Sequence, residues 1–274
     1  MILARAKTAQ GTAGPDGWAL VTGASEGLGR EFALIAARAG HPVILSARQE
    51  DKLNALAEEI RSRHGVRAEV IAADLSVAGE AERLWDRAAQ GRRIAVLVNN
   101  AGLGINGRFE STECGREDAS VAVNVVAATV LMKRAVQAMR AADGGRILNV
   151  GSTAGFMPGP EMAVYHATKA YLLSLSEAVA EELRGTGVTV TVLCPGATAT
   201  RFAGAAGMED IPLFTLMAPA KARAVAEAGW RAMERGQRIR VTGAINKLFA
   251  AGPRFAPRWL VTRIARIVLA RPHR

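Results

Sequence analysis

Tyr165 and Lys169, in the string Tyr165-His-Ala-Thr-Lys169, are spaced to move a proton. On a helix, residues four apart share a face, so phenol and ammonium project to the same side. A free phenol has a pKa of ~10 and is ionised in roughly one molecule in a thousand at neutral pH, but a neighbouring ammonium favours the phenolate. Such a pair can give a proton to a carbonyl oxygen, or take one from an alcohol, near pH 7. Ser152 stands thirteen residues upstream, just after the apolar run Ile147 to Val150. A hydroxyl at the carboxyl edge of a parallel sheet lies where ligands bind in open α/β folds. His166, next to Tyr165, projects about 100° away on a helix and is read as non-catalytic.

A second group of residues suits a phosphate. Thr22-Gly-Ala-Ser-Glu-Gly-Leu-Gly29 lies between the apolar run Trp18 to Thr22 and a helical pattern over Glu31 to Arg38. Gly23, Gly27 and Gly29 let backbone approach a pyrophosphate at a helix N-terminus, with Ser25, Glu26 and Leu28 completing the turn. Arg48 follows Gly29 by nineteen residues. An acid near this place favours the ribose hydroxyls of NAD, whereas a guanidinium suits the 2′-phosphate of NADP. NADP is therefore the expected cofactor. Glu26, a carboxylate in the same turn, would oppose a 2′-phosphate and keeps NAD as the alternative.

The elements that must hold these residues alternate along the chain. Continuous apolar runs at Val43 to Ser46, Ala68 to Ala72, Ile94 to Val98, Ile147 to Val150 and Val188 to Leu193 read as strands covered on both faces. Helical patterns separate them, including a long one over Asp118 to Arg140 and another over about Met162 to Leu183. This alternation predicts one doubly wound α/β domain with a parallel sheet.

In this order and spacing, TGASEGLG (22–29), Asp74, NNAG (99–102), Asn124, Ser152, YHATK (165–169) and Pro195-Gly196 resemble the short-chain dehydrogenase/reductase family. The resemblance covers about residues 17 to 202. The stretches NNAGLGING and ILNVGSTAGFMPGPEMAVYHATKA resemble its bacterial DltE-like NADP-dependent reductases. It implies a Rossmann-type domain of about seven strands, and a homodimer or homotetramer. It also implies that Tyr165 is the general acid/base, that Lys169 lowers its pKa and holds the nicotinamide ribose, and that Ser152 hydrogen-bonds the substrate oxygen. Asn124 would anchor a water linking Lys169 to solvent. Asp74 and Leu75 would border the adenine, Asn100, Ala101 and Gly102 would line the cofactor cleft, and Pro195, Gly196 and Thr198 would face the nicotinamide. A substrate lid is implied over 197–218, with Phe202, Met208, Ile211, Leu213, Phe214 and Met217 as its apolar residues. With Phe156, Met157 and Pro160 these suggest a hydrophobic ketone, aldehyde or secondary alcohol. A regulatory, cofactor-sensing protein on the same fold is the alternative; its usual mark, loss of the Tyr or Lys, is absent.

Composition narrows the rest. Half of the residues are apolar and 22% are charged, which excludes disorder. Cys114 and Cys194 supply no disulfide framework, and the four scattered histidines suggest no metal site. The three-residue apolar run before Arg5 and Lys7 is too short for a signal peptide, and no uncharged apolar run reaches ~18 residues, so a cytoplasmic protein with a flexible lead over 1–16 is expected. The net charge of +10 invites a nucleic-acid reading, but residues 8–239 are neutral, with 25 basic and 25 acidic groups, and carry no nucleic-acid motif. The excess sits in Arg240 to Arg274, which has eight basic residues and no acid. The domain is expected over 17–243, followed by a basic extension over 244–274. Within it, 256–271 can form a helix with Leu260, Val261, Ile264, Ile267 and Val268 on one face and Arg263 and Arg266 opposite, Trp259 near them. That helix suits an anionic membrane surface or, alternatively, its own domain or a partner subunit.

Overall fold

The computed structural model describes residues 17–207 and 219–269. The six apolar runs and the short Ile239–Val241 form the parallel strands β1 (Trp18–Thr22), β2 (Val43–Ser46), β3 (Ala68–Val70), β4 (Ile94–Asn99), β5 (Gly145–Val150), β6 (Val188–Cys194) and β9 (Ile239–Val241). Their order is β3-β2-β1-β4-β5-β6-β9. Two short strands, β7 (Thr198–Ala199) and β8 (Ala220–Lys221), pair beside the sheet. The chain direction of winding reverses at β1, which pairs with β2 on one side and β4 on the other. That reversal opens a crevice at the carboxyl ends of β1 and β4, where ligands bind in this architecture.

Alternate strand residues feed opposite cores. Ala19 and Val21 face Phe32, Leu53 and Trp230, on α1 (Gly27–Arg38), α2 (Glu50–His64) and α8 (Ala222–Glu234). Trp18 and Leu20 face the other layer, where Leu84 of α3 (Glu80–Ala89) and Leu131 and Met139 of α5 (Ala128–Ala141) pack. Each such fully buried Leu or Met contributes roughly 1.5–3 kcal/mol of transfer free energy. The sheet is therefore covered on both faces, which is why its strands need no polar alternation.

Two helices depart from the sequence pattern. α1 starts at Gly27, so Gly27 and Gly29 lie within its first turn instead of before it. The long helix starts at Cys114 and is not uniform: α4 (Cys114–Val121) passes through a π-helical turn, Ala122–Ala127, into α5. That helix is long and apolar enough for a membrane span, yet Leu131, Met132, Ala135 and Met139 are buried in the sheet core.

The chain then returns over the carboxyl edge of the sheet. After α6 (Ala163–Glu182) and the short α7 (Phe202–Ala205), α9 (Ala244–Ala251) and α10 (Arg258–Leu269) close the described chain. Ala265 and Leu269 of α10 are buried against Met162, Tyr165, Ala203 and Ala206. The expected lead over 1–16, the lid residues Met208 to Met217 and the last five residues lie outside the described residues.

Candidate active site

Ser152, Tyr165 and Lys169 meet at the carboxyl edge of β5. Ser152 leaves that strand extended and caps a 3-10 turn (Thr153–Phe156), its Oγ accepting the Ala154 N–H at 3.1 Å. The hydroxyl proton remains for Tyr165, whose phenol it meets in a hydrogen bond. Lys169, one helical turn beyond Tyr165, is 4% exposed, donates to the Val150 carbonyl at 2.8 Å and lies 5.7 Å from the Tyr165 ring centroid. Close approach of the 3-10 turn to α6 makes this possible: a Cβ on Gly155 would lie 2.7 Å from the Lys169 carbonyl oxygen.

The electrostatics differ from the sequence expectation. Burial pushes the Tyr165 phenol up to about 12, against the lowering effect of Ser152. Burial also brings the Lys169 ammonium down to about 8. In the protein alone, desolvation outweighs any help Lys169 gives the phenolate. The site holds Tyr165 as a proton donor. His166 borders the same cleft and its Nδ1 bonds the Met157 carbonyl at 2.8 Å, so it supports the wall of the site.

A cleft of about 410 Å³ runs from this trio across the sheet edge. Of the residues expected to hold a cofactor, Gly23, Ser25, Glu26, Gly27, Leu28, Arg48, Asp74, Leu75, Asn100, Ala101, Gly102, Pro195, Gly196 and Thr198 line it with Tyr165 and Lys169. Gly29 does not. It sits behind the turn, where a Cβ would fall 2.0 Å from the Gly23 carbonyl oxygen, so it lets α1 close on β1. The turn itself is a cradle that side chains would fill. Gly23 has φ +63°, and a Cβ there would meet the Asn100 amide at 2.7 Å. Asn100 fixes the turn by donating to the Thr22 carbonyl at 2.9 Å, while Thr22 Oγ1 accepts the Asn100 and Ala101 N–H groups at 3.0 Å. Ser46 Oγ, buried in the cleft wall, has no partner among the described residues. An open glycine cradle at a helix N-terminus with an unpaired hydroxyl beside it fits a dinucleotide.

At the far end, Asp74 accepts from Ser76 Oγ at 2.7 Å and from its N–H at 3.0 Å, which lowers its pKa, with the nearby Arg48 assisting. Glu26 does not face this end alone. Lys52 reaches it at 3.2 Å and Arg201 at 3.6 Å. Two cations thus attend the carboxylate that threatened to oppose a 2′-phosphate. Neither was singled out from the sequence. Lys52 follows Arg48 by four residues at the start of α2, and that spacing was the available signal.

Asn124 lies outside the cleft wall, on the π-helical turn. Its Oδ1 accepts the Leu103 N–H at 2.9 Å and its Nδ2 donates to the Leu103 carbonyl at 2.8 Å. Nδ2 also reaches Thr168 Oγ1 at 3.0 Å, joining the clamp to α6. Asn124 therefore fixes the segment that follows NNAG against the catalytic helix.

The catalytic end of the cleft is apolar. Met157 and Phe202 line it as expected, and the Phe202 ring packs tilted against Tyr165, with 5.4 Å between centroids. Phe156, also expected there, is turned the other way and packs with Leu173, Val192 and Cys194. Met162, Phe249, Ile264 and Val268 complete the wall. Ile264 and Val268 belong to the helix whose apolar pattern was legible without its address, whereas Phe249 lies on α9, which the sequence pattern did not show.

This geometry agrees with what the chain is similar to. Residues 17–210 match the family model described as short chain dehydrogenase. The chain belongs to the short-chain dehydrogenase family. It is an oxidoreductase of that family, whose members here include a 7beta-hydroxysteroid dehydrogenase of Collinsella aerofaciens, 37% identical over 183 residues, or 67% of this chain and 69% of that one. A very-long-chain 3-oxoacyl-CoA reductase of Mycosarcoma maydis is 36% identical over 180 residues, which is 64% of this chain. The match spans only about half, 51%, of that longer protein. Among solved structures, a short-chain dehydrogenase of Sphingobium yanoikuyae in complex with NADPH superposes with a TM-score of 0.79 at 31% identity, covering 87% of this chain and 93% of its own.

Proposed function

We propose that this short-chain dehydrogenase exchanges hydride between NADP(H) and an apolar ketone, aldehyde or secondary alcohol. The observation that carries the proposal is the Ser152–Tyr165 hydroxyl pair beside buried Lys169, at the end of a cleft whose remaining wall is apolar. NADP(H), when bound, supplies or accepts the hydride. The Gly23 to Gly29 turn would hold its pyrophosphate, and Arg48 with Lys52 would face the 2′-phosphate. The NADPH-bound relative supports that choice, and the steroid and long-chain acyl relatives support an apolar substrate.

In the reducing direction Ser152 Oγ donates to the carbonyl oxygen, stabilising the charge that develops there. The Tyr165 phenol then gives its proton to that oxygen, completing an alcohol and leaving a phenolate that regains a proton from solvent. In the oxidising direction the same phenolate takes the alcohol proton. Lys169, as ammonium, stabilises the phenolate and would reach the nicotinamide ribose. Assembly as a homodimer or homotetramer and a cytoplasmic setting form part of the same proposal.

The test follows NADPH and NADH consumption by the purified full chain over a panel of apolar ketones. The parent is expected to prefer NADPH, and Tyr165→Phe to lose turnover by roughly a thousandfold while NADPH binding, read by fluorescence, is unchanged. Parent-level turnover in Tyr165→Phe would remove the phenol from the mechanism. Failure of the parent to bind either nucleotide would sink the oxidoreductase reading.

A further inference from the structure

The charge excess of the chain and its exposed apolar side chains occupy the same segment. Seven of the twelve large apolar side chains exposed among the described residues fall within 245–267. Phe255 is 88% exposed, Leu248 73%, Ile267 69% and Trp259 67%. Single exposed apolar residues are ordinary, but a concentration of them marks a surface that meets something. Lys247, Arg254, Arg258, Arg263 and Arg266 are exposed in the same stretch, and none pairs with a carboxylate among the described residues. The segment from Arg240 onward has no acidic residue.

α10 explains how these residues come to face outward. Ala265 and Leu269 turn into the domain, which leaves Trp259, Arg263, Arg266 and Ile267, spaced i, i+4, i+7 and i+8, along the opposite side. The apolar stripe expected from the sequence is thereby split, since Val261 and Val268 are half-buried while Ile264 and Ile267 stay exposed. Ile264 and Phe249, 47% and 40% exposed, also line the cleft that holds Tyr165. The outward surface thus continues into the cleft wall.

The chemistry of that face selects its occupant. A second copy meeting it across a two-fold axis would bring the same unpaired cations together. A nucleic acid would neutralise the cations but leave Phe255, Leu248 and Ile267 in water. An anionic bilayer serves both, with headgroups for the cations and an apolar boundary for the aromatic and aliphatic side chains. We propose that the outer face of α9 and α10 docks the protein on an anionic phospholipid surface, with Phe249 and Ile264 set beside the bilayer so that a lipophilic substrate enters the cleft from it. The entry half rests on the proposed apolar-substrate function; the docking half does not.

Flotation of the full chain with vesicles tests docking. The parent is expected to float with phosphatidylcholine vesicles containing phosphatidylglycerol and to stay behind with phosphatidylcholine alone. The triple variant Arg258→Gln, Arg263→Gln, Arg266→Gln is expected to bind the anionic vesicles about a hundredfold less tightly, and Phe255→Ser with Trp259→Ser also to bind less. NADPH binding, unchanged in both, shows that they fold; if the aromatic variant does not fold, the arginine variant decides. Equal flotation of parent and arginine variant overturns the proposal, as does no flotation of the parent. Conversion of a parent dimer to monomer by these changes, without effect on vesicle binding, reassigns the face to a second copy. Entry is read separately. Anionic vesicles are expected to raise parent turnover of a long-chain ketone and to leave a small water-soluble ketone unaffected. Turnover of the soluble ketone without any vesicle effect on the long-chain one overturns entry alone, and absence of turnover with both overturns the function it rests on.

Discussion

Burial moves Tyr165 and Lys169 apart, and each shift has a consequence that can be measured. Lys169 has a pKa of about 8 in the fold and its ordinary 10.5 when unfolded. Between those values the unfolded chain binds the extra proton, so stability rises with pH across that window and is lower below it. The span corresponds to roughly 3 kcal/mol. Lys169→Met, which keeps the stem and drops the charge, should remove that rise: urea midpoints of parent and variant are expected to converge as pH climbs from 8 toward 10.5. Parallel midpoints over that range would mean that Lys169 is not penalised. Tyr165, raised to about 12, behaves oppositely and costs stability only above pH 10. At the other end of the cleft, Arg48→Ala should weaken NADPH binding by about tenfold or more, as expected for one lost charge-assisted contact, while NADH binding changes little. Equal losses for the two nucleotides would assign Arg48 to the fold. Tyr165 and Lys169 were legible because the chain has only two tyrosines and the four-residue spacing is rigid, and Arg48 because of its distance after the glycine turn. Arg201 was not, because its meaning lies in Glu26, 175 positions away and reached only through the fold, and Lys52 showed only its spacing from Arg48, not its pairing with Glu26.

Among the elements, the π-helical turn is the one that periodicity could not show. An extra residue in one turn preserves apolar composition and shifts only the phase, so Asp118 to Arg140 reads as an ordinary helix. The structural consequence is specific. Asn124, almost wholly buried, meets both backbone groups of Leu103 and the hydroxyl of Thr168. Asn124→Ala leaves the Leu103 N–H without its acceptor, while the Leu103 carbonyl keeps the Ser120 hydroxyl at 3.0 Å, and should cost about 1–3 kcal/mol, seen as a lower urea midpoint. Asn124→Asp retains the acceptor for the Leu103 N–H but places a carboxylate oxygen against its carbonyl, so it should not rescue. If Asn124→Ala were as stable as the parent and lost only turnover, the clamp would be secondary to a direct part in proton transfer. The strands were easier to read, because covering on both faces leaves continuous apolar runs; the start of α1 was missed because glycine carries no helical signal even where it forms the first turn.

At the scale of the whole molecule, the C-terminal helices make the catalytic end a cavity instead of an open shelf. The sequence shows an amphipathic helix after Arg258, but not which side turns inward, since the side that is buried depends on a surface built by residues a hundred positions earlier. The contact is made through small Ala265 and through Leu269, against Met162 and the Tyr165 ring. Ile264 and Val268 border the cleft together with Ala265 and Leu269, but Ile264 is exposed and Val268 half-buried where Leu269 is buried. That difference in burial should separate a change that costs stability from one that costs substrate recognition alone. Leu269→Ala removes a buried side chain and should cost about 2–4 kcal/mol, lowering Tm. Ile264→Ala with Val268→Ala removes apolar wall at partly exposed positions, with less effect on Tm. In vesicle-free assays that double variant should raise KM for a bulky apolar ketone by about tenfold, the worth of a few lost methyl contacts, and leave kcat and NADPH binding unchanged. A small ketone that does not reach α10 should show no change in either constant. If bulky and small ketones responded alike, or kcat fell with KM unchanged, the C-terminal helix would act on the catalytic trio through packing, and substrate size would have to be read from the segment around Phe202 instead.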